Sequence, residues 1–141
     1  MRSAYFRVLY FWAMLRLTFK KKERLTNNKT FDQLFNGGKS FAVAPFRLVW
    51  VHTKPDASVP AQLGISVPKR SFAKAVDRNT LKRRIREAYR KNKAALYGVL
   101  QKKNLSIALM VIYTSREELP YQEIEKKMIV SLQRMAAQLD A

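Results

Sequence analysis

The stretch AVDRNTLKRRIREAYRKNK, residues 75–93, carries eight Arg or Lys residues and only two acids. Leu81, Ile85 and Ala88 recur at the spacing of a helix that packs one face on a sheet. On a wheel of 100° per residue, the roughly opposite arc forms a polar ridge. The residues of this ridge are Asn79, Lys82, Arg83, Arg86, Arg90 and Lys93.

The ridge differs from an ordinary solvated helix face, which interleaves charges of both signs. Asp77 and Glu87 both lie outside the arc, as do the cations Arg84 and Lys91. Like charges four residues apart cost a few tenths of a kcal/mol for each pair. The pattern therefore favours a polyanionic partner over a face that only water covers.

The whole chain has the same bias. It contains 28 Lys and Arg against 10 Asp and Glu, a formal net charge of +18 in 141 residues. Eleven of the cations lie in residues 69–93 and seven in residues 1–24. Nucleic acid is the partner that this charge favours most, and an anionic membrane surface comes second. The absence of cysteine excludes disulfides and fits a reducing compartment, so we expect a cytoplasmic protein.

Capping residues, glycines, a proline and alternating apolar residues indicate the helices and strands that precede the basic helix. Thr30 and Gln33 have the spacing of a capping box, and the glycines at 37 and 38 end that short helix. Residues 41–52 predict a strand in which Pro45 marks an edge position or a bulge. Residues 63–68 predict a second strand, which can pair with the first as an antiparallel hairpin.

The basic helix is expected to begin between Ser71 and Arg78 and to end before Gly98. Residues 105–114 are apolar over a strand's length, which indicates a buried central strand. Pro120 opens a C-terminal helix with one apolar stripe: Ile124, Met128, Leu132, Met135 and Leu139. The order predicts an α+β fold, a small α-β-β-α-β-α sandwich with a helix crossover between the second and third strands.

Residues 1–17 are treated apart from this fold. Their longest uncharged run is eight residues, whereas a membrane-spanning helix needs about 20. We expect, in this order, an extension or misplaced start codon, an amphipathic surface segment, or a targeting signal. We expect residues 18–141 to form a single nucleic-acid-binding domain, and the family resemblance given below implies that the nucleic acid is RNA.

Candidate catalytic groups are few. His52 is the lone histidine and has no partner nearby in sequence, and no paired carboxylates or Ser/His/Asp arrangement stands out. We therefore expect no catalytic residue and no metal ligand in this chain.

Four segments resemble the bacterial ribonuclease P protein component family over about residues 19–138. RNTLKRRIRE, residues 78–87, is similar to the family signature R-N-x-x-K-R-x-x-R-E. LGISVPKR, residues 63–70, resembles a family strand that ends in two lysines, with Arg70 in place of the second and Pro68 where Ser is common. FKKKERL (19–25) and FDQLFNGGK (31–39) resemble the family's N-terminal pattern and first helix.

The resemblance implies a ribosomal-protein-like sandwich whose crossover is left-handed, although such crossovers are right-handed in about 98% of proteins. It implies the protein subunit of an endoribonuclease that removes the 5′ leader of precursor tRNA. An RNA subunit with bound Mg²⁺ would perform the hydrolysis. The implied partners are ribonuclease P RNA and precursor tRNA, with no membrane and no obligate protein partner.

The resemblance also assigns residues. Catalytic RNA would be bound by Arg78, Asn79, Lys82, Arg83 and Arg86, and the adjacent cations Lys69, Arg70 and Arg90 would extend the patch. Phe31 and Phe35 match helix positions that line the family's cleft for the single-stranded leader. Alternation along the strand adds Phe46 and Trp50 as candidates for the sheet side of that cleft. Core packing is the alternative for all four aromatic residues.

Three other functions remain open on the sequence. In a ribosomal or other structural RNA-binding protein of similar fold, the same basic helix could bind RNA. A DNA-binding module would need a base-reading helix in a dimer, and nothing indicates dimerisation. A free-standing nuclease is disfavoured because the sequence lacks a cluster of acids or histidines.

Overall fold

The computed structural model describes residues 19–56 and 58–140, and the expectation for residues 1–17 lies outside them. The α+β class is confirmed. After a 3-10 turn at Lys21–Glu23, the described elements are α1 Asn28–Gly37, β1 Lys39–Val43, β2 Phe46–Thr53, β3 Ala61–Ser66, α2 Ala75–Asn92, α3 Ala94–Lys102, β4 Ser106–Tyr113 and α4 Tyr121–Asp140.

The sheet is built around β4, and its strand order is β1-β2-β4-β3. β2 runs antiparallel to β4 with Leu48 opposite Val111, and β3 runs parallel to it with Leu63 opposite Leu109. Every residue of β4 except the half-buried Ile112 is buried. The prediction of a buried central strand is therefore confirmed, and its continuous apolar run matches a strand covered on both faces.

Two predictions about the other strands are wrong. The strand expected over residues 41–52 is a hairpin of β1 and β2, which turns at the cis Ala44–Pro45 peptide. Proline has no N–H to donate to a strand ladder, so the chain turns at this position. The second predicted strand, β3, does not pair with β2, because β4 lies between them and pairs with both.

The sequence predicted the end of α1 and the start of α2 correctly, but not the start of α1 or the end of α2. The side chain of Asn27 accepts from the backbone N–H of Lys29 at 2.9 Å, so α1 begins before the expected cap at Thr30. Its end at Gly37 agrees with the sequence. α2 begins at Ala75, inside the expected interval. Gly98 does not follow α2 but lies within the separate helix α3.

The two faces of the sheet are covered differently. Helices α2, α3 and α4 pack on one face and form the main core with Phe46, Leu48 and Trp50. The α4 stripe predicted from residues 124–139 is buried there. On the other face α1 forms a smaller cluster, in which Leu34 packs with Val49. That second face remains partly open.

A buried ion pair between Glu23 and Lys93 connects the segment before α1 to the end of α2. The Lys93 Nζ donates to the Glu23 Oε2 at 2.6 Å, and neither side chain is more than 6% exposed. The hydroxyl of Tyr97 also donates to this carboxylate, at 3.3 Å. Burial lowers the pKa of Lys93, and the hydrogen bond to Glu23 opposes that shift. The pair holds a basic segment, residues 20–24, in a fixed place.

Breaking this pair should destabilise the fold strongly, because it leaves one charge buried without its counter-ion. We expect Lys93→Met or Glu23→Leu to lower the free energy of unfolding by about 3–5 kcal/mol, and the double variant to recover most of that loss. Urea unfolding of the four proteins measures this coupling.

The control is Lys103→Met, which removes a lysine from the exposed pair with Asp140. Such a surface pair contributes at most about 1 kcal/mol. A Lys93→Met cost as small as that of Lys103→Met would contradict a structural role for the buried pair.

Candidate nucleic-acid interface

Helix α2 is oriented by its apolar stripe. Leu81, Ile85, Ala88 and Tyr89 are fully buried against the sheet and α4. Tyr89 extends the stripe predicted from the sequence, and its hydroxyl donates to that of Tyr97 at 3.2 Å. Because this face is fixed in the core, the side of the helix from which each remaining residue of α2 projects is also fixed.

Three cations on the outer side of α2 remain available to a ligand. Arg83 is exposed, and Lys82 and Arg86 are half-exposed. Within residues 19–56 and 58–140, none of the three forms an ion pair. Asn79 is exposed one turn before Arg83. We call these four residues the free ridge.

Arg78 joins the free ridge to the turn before α2. Its Nη1 donates to the carbonyls of Phe72 and Ala73, both at 2.9 Å. These bonds hold the turn with the exposed Lys69 and Arg70 beside the first turn of the helix. Lys69 and Arg70 thus lie in the turn just before the N-terminal end of α2, and the guanidinium of Arg78 is positioned before any ligand arrives.

Two members of the predicted ridge are engaged by carboxylates. The Arg90 guanidinium makes a two-pronged ion pair with Glu87, one turn earlier, and its hydrogen bond holds the pKa of Glu87 below the usual range. Lys93 is buried with Glu23. Placing Lys93 on the ridge was wrong, because a wheel cannot show a partner 70 residues away. Arg90 is only half-exposed, and its charge is offset locally.

The cations predicted to lie outside the ridge do so. Arg84 donates to the Leu119 carbonyl at 2.8 Å and pairs with Glu118 at 3.4 Å. The Lys91 Nζ lies 5.5 Å from the centre of the Tyr121 ring. Both side chains therefore point toward α4 and the loop before it.

A second surface lies where α1 crosses the open face of the sheet. Leu34 is buried against the sheet, Phe31 is half-buried beside it, and Phe35 is 68% exposed. Beyond α1, one transverse row of the sheet is at least partly exposed. Its residues, from β1 to β3, are Ala42, Arg47, Ile112 and Ser66.

Phe46 and Trp50 do not belong to this surface. They are 1% and 3% exposed and lie in the core under α2 to α4. Alternation correctly placed them on one face of β2, but that face is the covered one. Their assignment to a leader-binding cleft is therefore wrong.

The sequence reasoning missed Arg47, which alternates with Phe46 and Leu48 in β2 and therefore lies on the opposite face of the sheet. Arg47 is exposed on the open face, and its Nη2 donates to the Ser40 hydroxyl at 3.4 Å. A charged residue between apolar neighbours was the available signal that this position faces solvent. Arg47 thus adds a cation to the open side of the sheet.

The described residues contain no group of three or more His, Asp or Glu side chains able to hold a metal ion. His52 is exposed and lies edge-on to Trp50, with ring centres 5.1 Å apart. Among the described residues, no helix is long and apolar enough to cross a membrane. The groups that these surfaces present to a ligand are the cations of the free ridge, Arg47 and the exposed ring of Phe35.

Comparison with known proteins agrees with this geometry. The Ribonuclease P family model matches residues 19–136. The chain is 39% identical over 119 residues to the ribonuclease P protein component of Porphyromonas gingivalis, covering 82% of this chain and 85% of that protein. It is 32% identical over 126 residues to that of Geotalea uraniireducens, covering 86% and 98%.

Solved structures show the same fold. The ribonuclease P protein of Staphylococcus aureus superposes with a TM-score of 0.64 at 25% identity, covering 84% of this chain and 98% of that one. The Thermotoga maritima protein gives 0.63 at 28% identity, covering 79% and 96%. The chain belongs to the bacterial ribonuclease P protein component family.

Proposed function

We propose that this protein binds the catalytic RNA of ribonuclease P through the free ridge and holds the 5′ leader of precursor tRNA on the open face of the sheet. The holoenzyme would then remove the leader by endonucleolytic hydrolysis and release the mature 5′ end. The observation that carries the proposal is that Lys82, Arg83 and Arg86 share one outward side of a helix and lack ion-pair partners among the described residues.

The side chains of the protein suit phosphate binding, and the catalytic metal would belong to the RNA. The described residues offer no cluster of ligands for Mg²⁺, so RNA phosphates would hold the metal. Mg²⁺ bound there would supply an activated water and would stabilise the leaving oxygen. Arg78, Arg83 and Arg86 neutralise phosphates, with guanidinium forks that match the phosphate oxygens. Asn79 can donate to a phosphate oxygen or to a base edge.

Leader binding rests on a different surface. Exposed aromatic rings stack on bases with little sequence preference, which suits a leader that differs among precursors. Phe35 provides such a ring, and Phe31 lines the same flank of α1. Arg47 can neutralise the backbone of a strand that crosses the open row. We further propose that the protein acts in the cytoplasm and needs no obligate protein partner.

Reconstitution tests both halves of the proposal. The protein is combined at low Mg²⁺ with ribonuclease P RNA from the bacterium whose protein is 39% identical, on precursor tRNA with and without a leader. We expect no cleavage by the protein alone, and a larger gain in binding for the substrate with a leader. Phe35→Ala should reduce that gain by about 1–3 kcal/mol, the contribution of one stacked base.

Val130→Ala is the matched control, because it also truncates an exposed apolar side chain, on α4. Cleavage by the protein alone would overturn the role assigned to the RNA. Equal gains with and without a leader would overturn the assignment of the leader to the open face of the sheet.

Removing one cation from the free ridge should weaken RNA binding in a salt-dependent way. We expect Arg83→Ala to lower the affinity for ribonuclease P RNA and to reduce the slope of log K against log salt by about 1, because one phosphate contact is lost. Filter binding over a salt series measures the slope.

Lys126→Ala removes the same charge from an exposed position on α4 and controls for net charge. If the two variants have the same slope, Arg83 does not contact a phosphate.

A further inference from the structure

A polar groove of about 690 Å³ lies on the flank of α1 opposite the two phenylalanines. With Leu34 facing the sheet, Phe31 and Phe35 lie about 60° and 100° to one side of it on a helical wheel, and Thr30 and Gln33 about 40° and 100° to the other. Thr30 and Gln33 line the groove, whereas Phe31 and Phe35 do not. The groove is therefore separate from the aromatic flank.

Three lysines from three different elements meet at this groove. Lys22 comes from the 3-10 turn, Lys29 from the first turn of α1, and Lys54 from the loop after β2. All three are exposed, and within the described part of the chain none forms an ion pair.

Two of these lysines are carried on anchored backbone. The buried Glu23 fixes the turn that holds Lys22, and the backbone N–H of Leu25 donates to the Leu63 carbonyl at 3.0 Å. The loop after Lys54 is tied down where the Asp56 N–H donates to the Ser106 hydroxyl at 2.8 Å. The groove is thus formed before a ligand binds.

The one carboxylate in the groove is occupied within its own loop. The Asp56 Oδ1 accepts from the N–H and hydroxyl of Ser58, at 3.0 and 2.7 Å. These bonds lower the pKa of Asp56, and Lys22 adds a smaller electrostatic contribution. Among the described residues Asp56 forms no ion pair with any of the three lysines, so three cations against one carboxylate leave the groove with a net positive charge.

The remaining lining favours a nucleic-acid backbone. Gln33 and Gln62 place amides in the groove, which can hydrogen-bond to phosphate and ribose oxygens. Among the described residues no Phe, Tyr or Trp lines the groove, and the His52 imidazole that does line it lies edge-on to Trp50. We propose that this groove binds the phosphate backbone of a single-stranded RNA segment, as a second RNA contact besides the free ridge. This inference rests on the proposed function, and the RNA belongs either to ribonuclease P RNA or to the far end of the leader.

The test replaces the three groove lysines together, Lys22→Gln, Lys29→Gln and Lys54→Gln. The control replaces three exposed lysines of α3 and α4, Lys102→Gln, Lys126→Gln and Lys127→Gln, so that both proteins lose the same charge. Salt series are measured with ribonuclease P RNA alone, and then in the holoenzyme with precursor tRNA carrying a short or a long leader.

We expect the groove variant to lose about 2–3 in the salt slope relative to the control. A loss with ribonuclease P RNA alone identifies that RNA as the ligand, and a loss only with the long leader identifies the leader. Equal slopes for the groove variant and the control in both arms overturn the inference. Failure of the unmodified protein to assist cleavage would instead overturn the proposed function, so the two failures are distinguishable.

Discussion

The burial of one stripe of α2 determines where the cations of this protein point. Each fully buried Leu or Ile contributes about 1.5–3 kcal/mol, so Leu81 and Ile85 together exceed the few tenths of a kcal/mol that like-charged neighbours cost on the outer side. The helix can therefore keep Lys82 and Arg86 one turn apart without a carboxylate between them. Stability comes from the inner face, which leaves the outer face free to serve a ligand.

The acidic residues that form ion pairs near α2 do not neutralise the cations of the free ridge. Glu23 neutralises Lys93 in the core, Glu87 neutralises Arg90, and Glu118 pairs with Arg84. Each of these cations is thereby withdrawn from the free ridge or partly offset beside it. The result is a smaller and better-defined cationic surface on α2 than the composition suggests.

Local patterns predicted the elements that depend on one segment alone. The stripe of α4, the buried run of β4 and the start of α2 were all evident from spacing. What failed depended on distant partners. The pairing of β3 with β4 rather than β2 is decided by which strand can be covered on both faces, and the burial of Lys93 depends on Glu23. Phe46 and Trp50 were misplaced because alternation separates two faces without saying which one the helices cover.

The absence of cysteine makes the central claim, that α2 presents its free ridge to a folded RNA, directly measurable. A single cysteine at Asn79→Cys on the ridge, or at the exposed Gln133→Cys on α4, can carry a photo-crosslinker without removing a charge. After irradiation with ribonuclease P RNA, we expect crosslinks from position 79 at discrete nucleotides and few from position 133. Equal crosslinking from the two positions, or crosslinking from 133 alone, would contradict the account.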